Sequence, residues 1–282
     1  MSIVRLAITT SIAMIAFAGN SLLCRVALTT TSMDAASFTA IRLLSGAITL
    51  YVLILLNRRI WSLGGNWLSA MALFGYAAGF SFAYLSLSAA TGALLLFGAV
   101  QCTMIGYGLI KGERMNLKQT LGVLVAVSGL VVLLMPGLTT PPIISAMLMF
   151  GAGVSWGIYS LRGRGVSDAT RETAGNFLRA VPFALFVSIV TLQRVQIDLH
   201  GAGLAVASGA LASGFGYAIW YSVLPALRAT SAATVQLTVP VLTTVGGVVF
   251  LSESVTLRLG LASAAILGGV AIYIFGKGYE KN

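Results

Sequence analysis

Ten stretches of about 20 mainly apolar residues follow one another along the chain, and they constrain its fold more than any other feature. They run over 6–28, 35–56, 67–87, 91–110, 119–135, 142–161, 173–192, 202–224, 231–251 and 257–276. At about 1.5 Å of rise per residue, a helix of this length crosses the roughly 30 Å hydrocarbon core of a bilayer. Lipid offers no hydrogen bonds to exposed backbone, so apolar runs this long have to be helices. The expected fold class is an all-α polytopic membrane protein. Composition agrees: 9% of residues are charged and 58% hydrophobic, too few charges to clothe a soluble surface, where about a quarter is usual. The longest polar connections, 57–66 and 162–172, are too short to hold an enzyme domain. The first stretch lacks a small-residue cleavage site and reads as a span, not as a signal peptide. Cys24 and Cys102 lie in apolar runs and read as small packing residues.

Seventeen Lys and Arg against seven Asp and Glu would suit nucleic acid if they formed a patch. They fall instead in short loops, and on alternate ones. Arg5, Arg58, Arg59, Lys111, Arg114, Lys118, Arg162, Arg164, Arg171, Arg228, Lys277 and Lys281 belong to one side, whereas Arg194 and Arg258, with Arg25 near its edge, belong to the other. The positive-inside rule places the first side, and with it both termini, in the cytoplasm of an inner-membrane protein.

Compared with itself at an offset of 140, the chain aligns its fourth and fifth spans with its ninth and tenth. Thr103 meets Thr243, Gly106 meets Gly246, Glu113 meets Glu253, Leu117 meets Leu257 and Gly129 meets Gly269. With a small drift, Arg42 pairs with Arg179 and Gly19 with Gly157. The expectation is therefore two repeats, 1–140 and 141–282, of five helices each. Five is odd, so the second copy enters the membrane inverted, an organisation that builds two similar gates around a central site in many transporters.

The strings AFAGN and SWGIYS, FTAIRLLSGA and NFLRAVPFAL, and LIKGERMNLKQTLGVLVAVSGL and FLSESVTLRLGLASAAILGG resemble the corresponding segments of the EamA family in the drug/metabolite transporter superfamily. Within it, the chain resembles the YddG-type amino-acid exporters. The resemblance covers both halves. It implies a ten-helix inner-membrane carrier that exports amino acids or related metabolites through a cavity between the halves, and it marks Trp156 as an aromatic cavity position. The sequence departs from the family in its fourth span, where Val100 stands opposite Pro240 of the ninth.

Polar groups at membrane depth are costly and each needs a reason. Arg42 lies roughly 12 Å inward of Asp34 along its helix, and Arg179 about 10 Å inward of Glu172. Each is either a receptor for a substrate carboxylate or a clamp on backbone carbonyls. Asn20, Asn176, Gln101 and Gln236 either join helices or line a cavity, and the last two sit near the middle of the fourth and ninth spans. Trp61 and Trp67 read as interfacial belt residues. Trp156, Tyr159, Tyr217 and Trp220, with Phe17, Tyr76, Phe80 and Tyr84 in the first half, lie deeper and suit either packing or an amphipathic cavity wall. The substrate-site candidates are Trp156, Gln101, Gln236, Tyr159, Tyr217, Trp220, Tyr76, Phe80, Asn20, Arg42 and Arg179.

All seven carboxylates fall at span ends or in loops, and the one histidine, His200, sits at the edge of the eighth span. A proton-for-cation antiporter keeps a buried carboxylate for the exchange, so a multidrug cation carrier is disfavoured. No metal cluster, phosphate loop or nucleophile motif points to an enzyme or a cofactor. The expected function is alternating-access export of amino acids, aromatic or apolar, or related small metabolites, by a monomer in the bilayer with no nucleic-acid partner. The alternatives are a nucleotide-sugar, other metabolite or drug transporter of the same superfamily, a membrane scaffold and an enzyme.

Overall fold

The computed structural model describes residues 3–56, 64–112, 114–135, 137, 140–163, 166, 168–223, 226–227 and 235–276. Among the described residues there is no strand. The helices are α1 (Ile3–Thr30), α2 (Ala35–Leu56), α3 (Trp67–Ala83), α4 (Ala89–Ile110), α5 (Leu117–Leu134), α6 (Ile143–Arg162), α7 (Ala169–Val190), α8 (Leu199–Val223), α9 (Thr238–Leu251) and α10 (Leu257–Gly276). Eight are long and apolar enough to cross a membrane, while α3 and α9 are shorter apolar helices.

Short loops can separate such long helices because their polar residues act as caps. Asn66, Ser88, Asp168 and Asp198 each accept the backbone N–H three residues on, at the start of α3, α4, α7 and α8. Asn116 and Gln119 form a reciprocal capping box at α5. Each cap satisfies a donor that lipid could not. The third helix ends at Ala83, short of the expected residue 87, because the backbone turns there and the Leu87 N–H closes back on the Ala83 carbonyl at 3.0 Å. The ninth helix begins at Thr238, later than expected, and residues 231–234 of that span lie outside the described residues. So do Trp61, Glu113, Arg58, Arg59, Arg164, Arg228, Lys277 and Lys281.

Loop contacts sort the bundle into two ends. Asp34 and Gln196 exchange hydrogen bonds (2.9 and 3.0 Å), and Ser32 donates to Asp198. Arg258 reaches the Met135 carbonyl and Thr140. At the other end, called the basic end below, Asn116 donates to the Gly276 carbonyl at 2.6 Å, and residues 64–66 bind the start of α7. Every one of these contacts joins loops that ten successive crossings would bring to the same face.

The helices pack as α5 on α10, α2 on α7, α3 on α6 and α7, α4 on α6 and α9, α1 on α8 and α9, and α2 on α8. The α5–α10 pair meets backbone to backbone. A Cβ on Gly122 would lie 2.6 Å from the Gly269 carbonyl, so only glycine permits this approach. The outer faces carry exposed Phe186, Ile189, Phe250 and Phe275, as a lipid-facing surface requires.

Candidate functional site

Six helices aim aromatic or polar side chains at one place. α1 supplies Phe17 and Asn20, α2 supplies Arg42, α3 supplies Tyr76 and Phe80, α4 supplies Phe97, α6 supplies Trp156, and α8 supplies Tyr217. Trp156 is the hub: its ring lies 4.9 Å from Tyr76, 5.1 Å from Tyr217 and 5.6 Å from Tyr159. Phe17 meets Tyr217 edge-on at 5.8 Å and Trp220 at 6.1 Å. These separations are those of ordinary aromatic pairs.

The rings, together with Asn20, Ser21, Leu96, Phe97 and Ala212, enclose a cavity of about 20 Å³. That is room for roughly one or two waters, so a larger solute enters only after helices part.

One polar chain crosses this apolar surround. Ser208 donates to Asn20 Oδ1 at 2.7 Å, Asn20 Nδ2 donates to the Tyr76 hydroxyl at 3.1 Å, and Arg42 Nη2 donates to the same hydroxyl at 2.9 Å. The Arg42 guanidinium also stands over the Tyr76 and Phe80 rings, at 5.1 and 4.9 Å, a cation–π arrangement. Its Nε and Nη1 are buried without a partner. Ser208 begins a π-helical segment, Ser208–Phe215, inside α8, and such bulges recur at functional sites. The segment passes so close to α2 that a Cβ on Gly209 would overlap the Arg42 carbonyl oxygen.

Other expected site residues lie elsewhere. Arg179 donates from Nη1 to the Gly64 carbonyl at 2.7 Å and to the Gly175 carbonyl of its own helix at 3.0 Å. Both acceptors are backbone carbonyls, the contacts that a clamp would make. Gln101 lines a separate, almost wholly apolar groove of about 230 Å³ between α4, α5 and α10. Gln236 is half-buried in a short helical stretch just before α9 and does not line the central cavity. Tyr159 lies against Trp156 yet faces a second cavity of about 130 Å³ near the basic end, with Asn66, Arg162 and Asn176. Trp220 meets Phe17 edge-on and does not line the central cavity. Trp67 is exposed at the start of α3, edge-on to Phe183 at 6.0 Å.

Sequence reasoning named neither Ser208 nor the partner of Glu253. Ser208 stands in a run of small residues with no periodic signal, and no rule of spacing marks a π-helical segment. Arg25 Nε pairs with Glu253 Oε1 at 3.2 Å, and Arg25 Nη1 donates to the carbonyls of Tyr84 and Leu85 at 2.8 and 3.3 Å. Glu253 Oε2 accepts the Ala89 N–H at the start of α4, at 2.8 Å. Ser252, with φ of 53°, turns the chain so that Glu253 can reach back. The group ties α1, α3, α4 and the end of α9 together. At the basic end Arg162 donates to Ser69 and Asn66 at 2.9 and 3.0 Å. There Glu172 accepts the Gly65 N–H at 2.7 Å and Asn176 the Asn66 N–H at 2.9 Å. In the loop before α8, the Gly201 N–H on its carboxylate, helped by Thr31 and Ser32, holds Asp198 below the usual carboxylate range. Among the described residues no group of three or more His, Cys, Asp or Glu could hold a metal ion.

Comparison with known proteins adds four findings. A family profile described as the EamA-like transporter family matches residues 143–275. An uncharacterized protein of Pseudomonas aeruginosa is 51% identical over 96% of this chain and 94% of its own length. An uncharacterized transporter of Bacillus subtilis, YoaV, is 21% identical over 84% of this chain and 86% of its own. A protein of known crystal structure superposes with a TM-score of 0.68 over 96% of this chain and 98% of that one, at 20% identity, a likeness of fold alone.

Proposed function

The chain belongs to the EamA-like transporter family of the drug/metabolite transporter superfamily, and from that premise we propose that it exports amino acids with aromatic or apolar side chains, or related small metabolites, by alternating access. The site is the cavity among Phe17, Asn20, Tyr76, Phe80, Trp156 and Tyr217. The observation that carries this reading is convergence. Helices from both halves of the chain meet there, and they present aromatic faces with a polar chain behind them. Aromatic walls bind apolar side chains, and the polar chain supplies the few fixed groups that orient a small solute.

The packing supports an inverted repeat of 1–140 and 141–282. Moving every helix five places along exchanges α3–α6 with α8–α1, α4–α6 with α9–α1, and α3–α7 with α8–α2, and it returns α5–α10 and α2–α7 to themselves. On this reading the Arg25–Glu253 group closes one gate and the Arg162–Asn66–Glu172 group the other, in a monomer of the inner membrane with its basic end and both termini cytoplasmic. A nucleotide-sugar would want several cations in the cavity, and Arg179 is engaged with Gly64 instead.

The test is uptake of a panel of labelled amino acids and metabolites into proteoliposomes of the purified protein. Saturable flux of aromatic or apolar members, absent from empty liposomes, is expected. No flux across the whole panel would sink the proposal.

A further inference from the structure

Arg42 is 1% exposed, and of the five N–H donors that a guanidinium carries one meets a partner, the Tyr76 hydroxyl. Nε and Nη1 have none, and none of the described carboxylates pairs with it. A buried cation without a counter-charge is costly. Rings on two sides offset part of that cost, and the remaining donors still call for an anion.

Tyr76 carries that demand to the cavity. Its oxygen accepts from Arg42 and from Asn20. The Asn20 amide is oriented by Ser208, whose hydroxyl donates to its oxygen. With both lone pairs engaged, the phenol has its own hydrogen left to offer, and Tyr76 lines the cavity. Donors on the phenol oxygen strengthen its O–H as a donor in turn. The other lining residues (aromatic, aliphatic or neutral polar) include no acid that could hold an ammonium group.

We infer that the transported solute is a net anion, with a carboxylate at the Tyr76–Arg42 end and an aromatic or branched body against Trp156, Tyr217 and Phe17. The class is that of monocarboxylates lacking a free ammonium, such as 2-oxo acids or N-acylated amino acids, in preference to the zwitterion. This rests on the transporter reading and narrows its substrate.

The experiment uses three probes with one skeleton: N-acetylphenylalanine (anion), phenylalanine (zwitterion) and phenylalanine amide (cation). Binding to the full chain in nanodiscs is read from tryptophan fluorescence, and flux from proteoliposomes. In the unmodified protein the anion should bind about tenfold tighter than the zwitterion, with the cation weakest, as a charge-assisted hydrogen bond implies. Arg42→Gln should erase that ordering. Tyr76→Phe, which keeps the ring and so its packing, should weaken the anion by about tenfold and spare the cation, which has no carboxylate. A zwitterion bound as tightly as the anion, or an anion affinity unchanged in Tyr76→Phe, overturns the inference. Anion-selective binding without flux of any probe supports the inference and overturns the transport reading. Flux without anion preference does the reverse.

Discussion

Replacing Glu253 by Gln tests whether the Arg25–Glu253 group is a gate. The change keeps the shape, and the amide oxygen can still accept the Ala89 N–H, so the loss is confined to the charge. The paired side chains are 19% and 15% exposed. Two charges about 4 Å apart attract by about 4 kcal/mol at an effective dielectric of 20, and desolvation cancels part of this. A net loss of about 2 kcal/mol fits hydrogen bonds to charged groups. If the pair holds the closed state, the ratio of closed to open at that end falls about 30-fold, since 1.4 kcal/mol is about tenfold. The assay is the labelling rate of a single cysteine at Ser21, a cavity-lining position, in nanodiscs of a protein lacking Cys24 and Cys102. The rate should rise by about the same factor. Arg25→Gln should behave alike, and the double replacement should add little to either, because both remove one interaction. A labelling rate unchanged in both single variants would refute the gate and leave the pair as a brace.

Four further outcomes are expected. Trp156→Ala removes three ring contacts worth about 0.5–1.5 kcal/mol each, so the melting temperature in detergent should fall together with transport, whereas Trp156→Phe should keep most of the stability; an unshifted melting temperature for Ala would show the contacts idle. Arg179→Lys loses the planar fork on the Gly64 and Gly175 carbonyls and should cost about 1 kcal/mol of stability without altering which solutes move, and changed selectivity at unchanged stability would contradict the clamp. Because no carboxylate among the described residues sits at membrane depth, flux in vesicles should follow the solute gradient and ignore an imposed pH gradient, and uphill, uncoupler-sensitive transport would contradict this. A cysteine at position 60, in a background lacking Cys24 and Cys102, should resist impermeant reagents applied outside intact cells, and rapid labelling there would reverse the proposed topology.

The spans were legible because the lipid solvent acts on every residue of a crossing helix, and length and apolarity read it directly. The facing of each helix was not. A soluble helix shows its buried side as an apolar stripe with a period of 3.6, but in a bilayer the outer side is apolar too. Trp156 and Gln101 look alike in sequence, each an amphipathic residue inside an apolar run. Trp156 turns into the cavity, while Gln101 turns into the groove beside α5 and α10, and only the packing of neighbouring helices decides between them. The partners that join one loop to another, such as Asp34 with Gln196, lie some 160 residues apart and left no local trace.

Arg42 and Arg179 carry the same lesson into function. Aligned as repeat partners, they invited one shared role. The structure gives them different surroundings. Arg179 reaches two backbone carbonyls, Gly64 in the loop before α3 and Gly175 one turn back in its own helix, whereas Arg42 is held among Tyr76, Phe80 and the π-segment of α8, where few acceptors exist. A duplicated scaffold needs its symmetry only in helix packing, because packing sets how the two halves move against each other. The solute has one orientation and two unlike ends, so its site must break that symmetry. On the proposed repeat, an arginine satisfied by backbone in one half and left with open donors in the other is one way to do so, and it places the charge on the side of the cavity where α2 and α3 meet.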